Sequence, residues 1–403
     1  MELNESQKEA KRKIIKWYND PLKKQVFILT GYAGTGKTTI ISNIIDELQI
    51  KSTTEFVSFT GKAAMVMNLK GVPATTIHKL IYMLDDEDQS ALNSNKAKKQ
   101  KDNLNFVLVD ALPNSIKLIV IDEASMISAT ILRDLLSFGV PVLLIGDPGQ
   151  LPPIDDDPHI LDAPDHHLSD IIRQDKDNPI IKVSQDILEF GRIRNIDYGK
   201  GVGVFIGRKL KAESYHAADQ ILCYRNSTRS DINEMLRKMN GFESPLPMAG
   251  DKLICTRNNW SIFVGDKGFT YPLMNGCIGF SETNCVAEKY EDDEDFSTAT
   301  ASWMYGFNLC FRPDFAQRKT ILKTFFSPFK DTSFSFSGLI KEDPDLTQFD
   351  FGYAITGHKS QGSEFEKVIV IDDIPRNILS DEDIRKWLYT SVTRAKSQLI
   401  YVR

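Results

Sequence analysis

No apolar run in this chain approaches the roughly 18 residues that a bilayer span requires. The longest, such as Leu118-Ile119-Val120-Ile121, have the length of buried strands. A membrane protein is not expected. The opening residues, MELNESQKEAKRK, lack the apolar stretch of a secretory signal. Cysteine is scarce. There are five, an odd number, and no two form a C-x-x-C pair. This argues against a disulfide framework or a zinc ribbon and suits a reducing cytoplasm. An excess of basic charge is missing too, since 49 lysines and arginines face 55 aspartates and glutamates, a net −6. Bulk basicity therefore cannot hold nucleic acid, although a local basic channel on an acidic body can. No internal repeat is visible at a period of about 20–50 residues.

What is present is ordinary globular material, with 403 residues, 41% hydrophobic and 26% charged. At about 100–200 residues per domain, that allows two to four domains. In the first half, short apolar runs at Val26–Thr30, Glu55–Thr60, Leu118–Asp122 and Val140–Gly146 alternate with helical patterns at Thr38–Leu48 and Ser128–Ser137. Strands alternating with helices argue a parallel α/β sheet covered on both faces. A second set comes late. Strands are expected at Lys367–Asp372 and Gln398–Val402, with a helix over Asp381–Ala395 between them and a further strand at Ile221–Arg225.

Two stretches break the pattern. Residues 85–105 are charged, with DDED at 85–88 and KAKKQK at 96–101, and read as a solvated insertion. From about Asn275 to Ile340 aromatics replace helix signals. There Phe334 and Phe336 alternate with serines at strand period, and an acidic EDDED occupies 291–295. This reads as a small β module inserted in the second α/β domain. The pair His166-His167 reads as loop rather than as a metal site.

The chemistry starts at Gly31-Tyr-Ala-Gly34-Thr-Gly36-Lys37-Thr38-Thr39, which matches G-x-x-x-x-G-K-[ST] between an apolar strand and a helix. The glycines let backbone N–H groups close around phosphate oxygens, and the helix N-terminus favours negative charge. Lys37 is expected to reach the β- and γ-phosphates, and the Thr38 hydroxyl to ligate Mg²⁺. The strand LIVID ends in Asp122, placed for the Mg²⁺ shell, and Glu123, placed to polarise an attacking water. A base for water implies hydrolysis. Gln150, in GDPGQLPP, carries an amide that can read a γ-phosphate or its water. Arg173 in IIRQD and Arg394 in YTSVTRAK are candidate arginine fingers.

The ordered set of P-loop, VIDEASM, GDPGQLPP, IIRQD, AITGHKSQGSEF and YTSVTRAK resembles superfamily 1 helicases of the RecD/Pif1/Dda type, over residues 4–403. The resemblance implies two RecA-like P-loop domains with ATP between them. The first would comprise residues 1–81 and 112–178, with a wedge hairpin inserted at 82–111. The second would comprise 179–275 and 346–403, with an SH3-like β-barrel inserted at 276–345. It also implies that Gln7 reads adenine and that Gln361 joins the ATP site. Thr60, Lys62, Thr76, His78, Thr356, His358 and Lys359 fall on segments that contact single-stranded nucleic acid, although His78 in TTIHKL also suits a packed histidine. The expected activity is ATP-driven 5′→3′ translocation with unwinding of forked duplex DNA. The chain is expected to be a cytoplasmic monomer that meets replication or single-strand-binding proteins. An RNA-directed helicase, a protein-displacing translocase and a silent P-loop binding module are the alternatives.

Phe106 is the only aromatic between Tyr82 and the VIDE strand, in the β-prone NLNFVLVDALP. Similar helicases carry an aromatic pin in this insertion, which marks Phe106 as the strand-separating wedge. The competing role is a place in the hairpin's own small core.

Overall fold

The computed structural model describes residues 3–69, 71–84, 106–153, 159–170, 178–207, 210–266, 269–285, 305–326 and 347–403. The amino-terminal domain is built on strands β1 (Val26–Gly31), β2 (Thr54–Ser58), β3 (Ala74–Thr76), β4 (Tyr82–Leu84), β5 (Phe106–Leu108), β6 (Leu118–Asp122), β7 (Val142–Gly146) and β8 (His166–Leu168). Six of these form one parallel sheet in the order β3-β2-β6-β7-β1-β8. Period-two geometry sends alternate side chains to opposite faces, so both faces must be apolar. Leu118 and Val120 join Leu143 and Ile145 under the helices α1 (Glu5–Asn19) and α2 (Lys37–Leu48). Ile119 and Ile121 join Val142 and Leu144 on the other face, with Ile77, Ile81, Leu132 and Leu135.

The carboxy-terminal domain repeats the plan. Strands β9 (Val202–Phe205) and β10 (Gln220–Cys223) belong with three strands near the end of the chain. Between them comes a separate β module of β11 (Lys252–Cys255), β12 (Asn259–Asp266), β13 (Phe269–Leu273), β14 (Ile278–Ser281), β15 (Tyr305–Pro313), β16 (Thr320–Phe326) and β17 (Thr347–Phe351). The chain then returns to β18 (Ala354–Thr356), β19 (Phe365–Ile371) and β20 (Ala395–Val402). The parallel sheet is β18-β10-β19-β20-β9. On one side a core of Leu222, Val368, Val370 and Leu399 packs with Trp387 and Tyr389, both fully buried.

Two parallel α/β sheets are what RecA-like P-loop domains require. The inserted module differs in its borders from the expected 276–345. Its closed barrel runs β11-β14-β15-β16-β17, so it draws in Lys252–Cys255 and Thr347–Phe351. A barrel must bring its last strand back to its first. Lys252–Cys255 is as short and apolar as a parallel-sheet strand, whereas Thr347–Phe351 alternates polar and aromatic residues. The acidic 291–295 segment and the Phe334/Phe336 alternation lie outside the described residues.

A buried ion pair fastens the barrel to its host domain. Arg237, on helix Asn226–Met239, sets Nε 3.0 Å from Asp251 Oδ1 and Nη2 3.0 Å from Oδ2. Nη2 also donates to the carbonyls of Ser244 and Leu246, and Tyr353 Oη donates to Asp251. Removing one partner from such a buried pair costs about 3–5 kcal/mol.

In the first domain β4 and β5 pair antiparallel, with Leu84 opposite Phe106. The charged stretch at 85–105, which was read as solvated, lies outside the described residues. The His166-His167 pair is not loop. It forms edge strand β8 alongside Leu29 and Thr30, and the His167 ring meets Thr30 Oγ1 at 2.9 Å. His-His-Leu carries no apolar alternation, so its strand character comes from the neighbouring strand alone. All five cysteines are free. Among the described residues no helix is long and apolar enough to cross a membrane.

Candidate nucleotide site between the two domains

The P-loop leaves β1 at Gly31 and enters α2 at Lys37. Gly34 and Gly36 have φ of 82° and 77°, the left-handed region that glycine enters without steric cost. Those two residues turn the chain back on itself within one loop. Lys37 Nζ lies inside the turn, donating to the carbonyls of Gly31 at 2.6 Å and Tyr32 at 3.1 Å. Thr38 and Thr39 stand in the first turn of α2.

Gln7, expected to read adenine, is buried against the P-loop. Its Oε1 accepts from Asn4 N–H at 3.1 Å, and Asn4 Oδ1 accepts from Gln7 N–H at 2.8 Å, a capping box on α1. Its Nε2 donates to Thr35 O in the P-loop at 3.2 Å. Both ends of this buried amide are thus engaged, and Gln7 braces the loop.

Asp122 ends β6, and its Oδ1 accepts the N–H of Glu123 at 3.0 Å. Glu123 is one of three non-glycine residues with positive φ among the described residues, at φ 57° and ψ 43°. Such a conformation costs on the order of 1–3 kcal/mol and gathers at functional sites. Burial, then the neighbouring Asp122 carboxylate, pushes its carboxyl above the usual range. Arg394 and Lys37 act against that shift from opposite domains.

The arginine sits at the end of helix Asp381–Val392, 4% exposed. Its Nε donates to Thr390 O at 3.0 Å, Nη1 to Ser363 O at 3.2 Å and Nη2 to Thr393 Oγ1 at 3.2 Å. Gln361 reaches across the cleft, where its Nε2 donates to Leu151 O at 3.0 Å, just beyond Gln150. Arg173 lies outside the described residues.

Several buried polar atoms here have no protein partner. Gln150 Oε1 and Ser125 Oγ are unpaired, and both residues line one pocket with Asp147 and Lys386. An unpaired buried polar atom costs about 1–3 kcal/mol, so such atoms mark a place for a polar guest.

Sequence reasoning missed a group that the structure brings to the centre. Asp147 is 1% exposed and stands 3.9 Å from Lys37 Nζ. Tyr389 Oη, from the second domain, donates to Asp147 Oδ2 at 3.0 Å and accepts the P-loop N–H of Ala33 at 2.8 Å. The signal was present in GDPGQ and YTSVTRAK, where only Gln150 and Arg394 had been singled out.

The residues read as nucleic-acid contacts divide. Thr60 and Thr76 hydroxyls accept from Ala63 N–H and Lys79 N–H, both at 3.2 Å, and cap short helices. Thr356 is buried in β18. Lys62 turns toward the second domain, where its Nζ donates to Gly276 O at 3.2 Å and sits over the Phe365 ring. His78 is partly open to solvent, and its ring lies 5.8 Å from Phe59 and 5.7 Å from Tyr82. Lys359 is exposed, and His358 is half-buried beside Tyr224. Phe106 opens β5.

A parallel-sheet cleft with a P-loop, a carboxylate beyond a neighbouring strand and an arginine from a second sheet defines a two-domain P-loop nucleoside triphosphatase. A family model described as AAA domain matches residues 2–199, and one described as UvrD-like helicase C-terminal domain matches residues 351–402. These matches and the relatives below make the chain similar to the Pif1-like and RecD-type helicases, which are ATP-driven enzymes. It is 26% identical to an uncharacterized protein of Methanocaldococcus jannaschii, over 94% of this chain and 37% of that one. It is 23% identical to the ATP-dependent DNA helicase Pif1 of Campylobacter jejuni, over 87% of this chain and 83% of that one. The crystal structure of Bacteroides Pif1 bound to ssDNA aligns at TM-score 0.52 and 18% identity, covering 100% of this chain and 92% of that chain, a likeness of fold.

Proposed function

We propose that the chain hydrolyses ATP in the cleft between its two parallel sheets and uses the cycle to move 5′→3′ along single-stranded DNA and open duplex ahead of it. The observation that carries this reading is the convergence of Lys37 from the P-loop and Arg394 from the second domain on Glu123, which follows Asp122 at positive φ. A raised carboxyl suits a group that must take a proton from water. Cations supplied by two domains suit a transferring phosphoryl whose charge is neutralised only when the domains meet. Asp122 and Thr38 offer the oxygen donors a hard divalent cation prefers, so Mg²⁺ arriving with the nucleotide fits them. When bound, it would neutralise phosphate charge.

Contacts to DNA in this reading come from loops at the carboxyl ends of strands in both sheets. Thr60, Lys62, Thr76 and His78 serve from the first domain, and Thr356, His358 and Lys359 from the second. Backbone contacts carry no sequence information, so movement should be sequence-tolerant. Phe106 is the proposed wedge. Stacking on a base is worth roughly 1–3 kcal/mol, and one duplex step averages about 1.4 kcal/mol, so one ring offsets about one broken step. Arg173 is proposed as the first domain's own arginine, and the barrel as SH3-like. The compact chain looks most like the phage Dda helicase, which would make it a monomer in a host cytoplasm, working beside replication or single-strand-binding proteins.

Strand displacement on duplexes with a 5′ or a 3′ tail tests the reading. The expected result is opening of the 5′-tailed DNA substrate with ATP, and little of the 3′-tailed one. Preference for the 3′ tail contradicts the direction, and preference for RNA contradicts the substrate.

A further inference from the structure

Tyr389 is fully buried between the domains, and its hydroxyl is used twice, as acceptor from Ala33 N–H and donor to Asp147 Oδ2. Its ring has an edge-on neighbour in Tyr32, with centroids 6.0 Å apart. Gly149 makes room for that ring, since a Cβ there would stand 2.9 Å from Tyr389 Cε1. The backbone of the same residue continues the connection. Tyr389 O accepts from Thr393 Oγ1 at 2.9 Å, and Thr393 Oγ1 accepts from Arg394 Nη2 at 3.2 Å. The Tyr389 hydroxyl thus ties the P-loop to the helix end that carries Arg394, where Thr393 Oγ1 faces the carbonyls of Tyr389 and Thr390 and accepts from the guanidinium. Leu151 N–H adds a parallel tie to Thr390 Oγ1 at 2.9 Å.

We infer that Tyr389 is a positioning residue, whose hydroxyl registers the second domain against the P-loop and so sets where Arg394 stands over Glu123. The inference rests on the proposed role of Arg394 and goes beyond it, naming the group through which that arginine is aimed. The tyrosine does not need to touch nucleotide. Burial and Asp147 hold the phenol well above its ordinary range, so it keeps its proton and remains a donor. A cradle occupied in this way has a cost of its own. Without the hydroxyl, Ala33 N–H and the Asp147 carboxylate each lose a buried partner.

The test is single-turnover hydrolysis of labelled ATP by Tyr389→Phe, alone and in an Arg394→Lys background, with thermal melting alongside. Phenylalanine keeps the ring and its packing. Alone, Tyr389→Phe should lower the rate about tenfold and leave the ATP concentration for half-saturation within about twofold, the loss of one well-placed buried bond. In the Arg394→Lys background the same change should have less than about a twofold effect, because residues acting as a unit are not additive. Gly149→Ala, which displaces the ring but keeps the hydroxyl, should follow Tyr389→Phe. A Tyr389→Phe variant with the parent rate and a lower melting temperature would make the residue structural and overturn the inference. A full tenfold loss persisting beside Arg394→Lys would also overturn it. Parent-like hydrolysis by Arg394→Lys alone would instead overturn the role of the arginine.

Discussion

Glu123→Gln should bind ATP and hydrolyse it about 10²–10⁴-fold more slowly than the parent, the usual yield of a positioned general base. Glutamine keeps the shape and can still accept a hydrogen bond, but it cannot take a proton from water. Glu123 adopts a left-handed backbone conformation that glutamine shares, so the change need not disturb the turn. The pH dependence follows from the direction of the shift. Burial and Asp122 raise the carboxyl, so its base form is lost at a higher pH than for an ordinary glutamate, near about 4.3. The acid limb of the rate profile should therefore lie above the ordinary carboxylate range and vanish in Glu123→Gln.

Stability should move the other way. Between the ordinary and the raised value the folded chain holds a proton that the unfolded chain has lost, so stability falls as pH rises through that window. Removing the charge should leave melting temperature at neutral pH unchanged or higher. Hydrolysis at the parent rate in this variant would remove Glu123 from the chemistry.

Arg394 carries the second large effect. Removing an arginine finger costs about 10³–10⁵ in rate, and Arg394→Ala should fall in that range. Arg394→Lys is the sharper variant. The guanidinium spreads three nitrogens over Thr390 O, Ser363 O and Thr393 Oγ1 in one plane. An ammonium keeps the charge but presents a point rather than a fork. Its turnover should fall steeply while affinity for single-stranded DNA stays near the parent value, because Arg394 is buried in the cleft. A binding titration beside a hydrolysis assay checks both halves. Parent-like turnover, or a loss of DNA affinity equal to the loss of rate, would contradict the assignment.

The places of these two residues in the cleft were legible in the sequence because their settings are written locally. Glu123 follows an apolar strand and an aspartate, and Arg394 follows a helix that ends between two strands. The parallel sheets were legible for the same reason, through runs such as LIVID and VLLIG. What escaped was written across the chain. Tyr389 meets Asp147 at a separation of 242 positions, and neither segment records the other.

Asn4-x-x-Gln7 also has the spacing of a capping box, a second role that uses one end of the Gln7 amide. Lys62 falls by resemblance on a segment that contacts nucleic acid, and a carbonyl from the other domain competes for it. The barrel borders were missed because Lys252–Cys255 has the length and composition of a parallel-sheet strand, and its barrel partner Thr347–Phe351 lies far along the chain. A barrel strand and a sheet strand differ only in their partners.

The central claim is that nucleic acid and ATP act on one cleft, and steady-state ATP hydrolysis with and without single-stranded DNA tests it most directly. Strand binding that draws the domains together brings Arg394 toward the phosphates, so hydrolysis should rise at least about tenfold on adding saturating single-stranded DNA. The rise should be absent in Arg394→Lys. Hydrolysis at one rate whether DNA is present or not would contradict the coupling between the two domains.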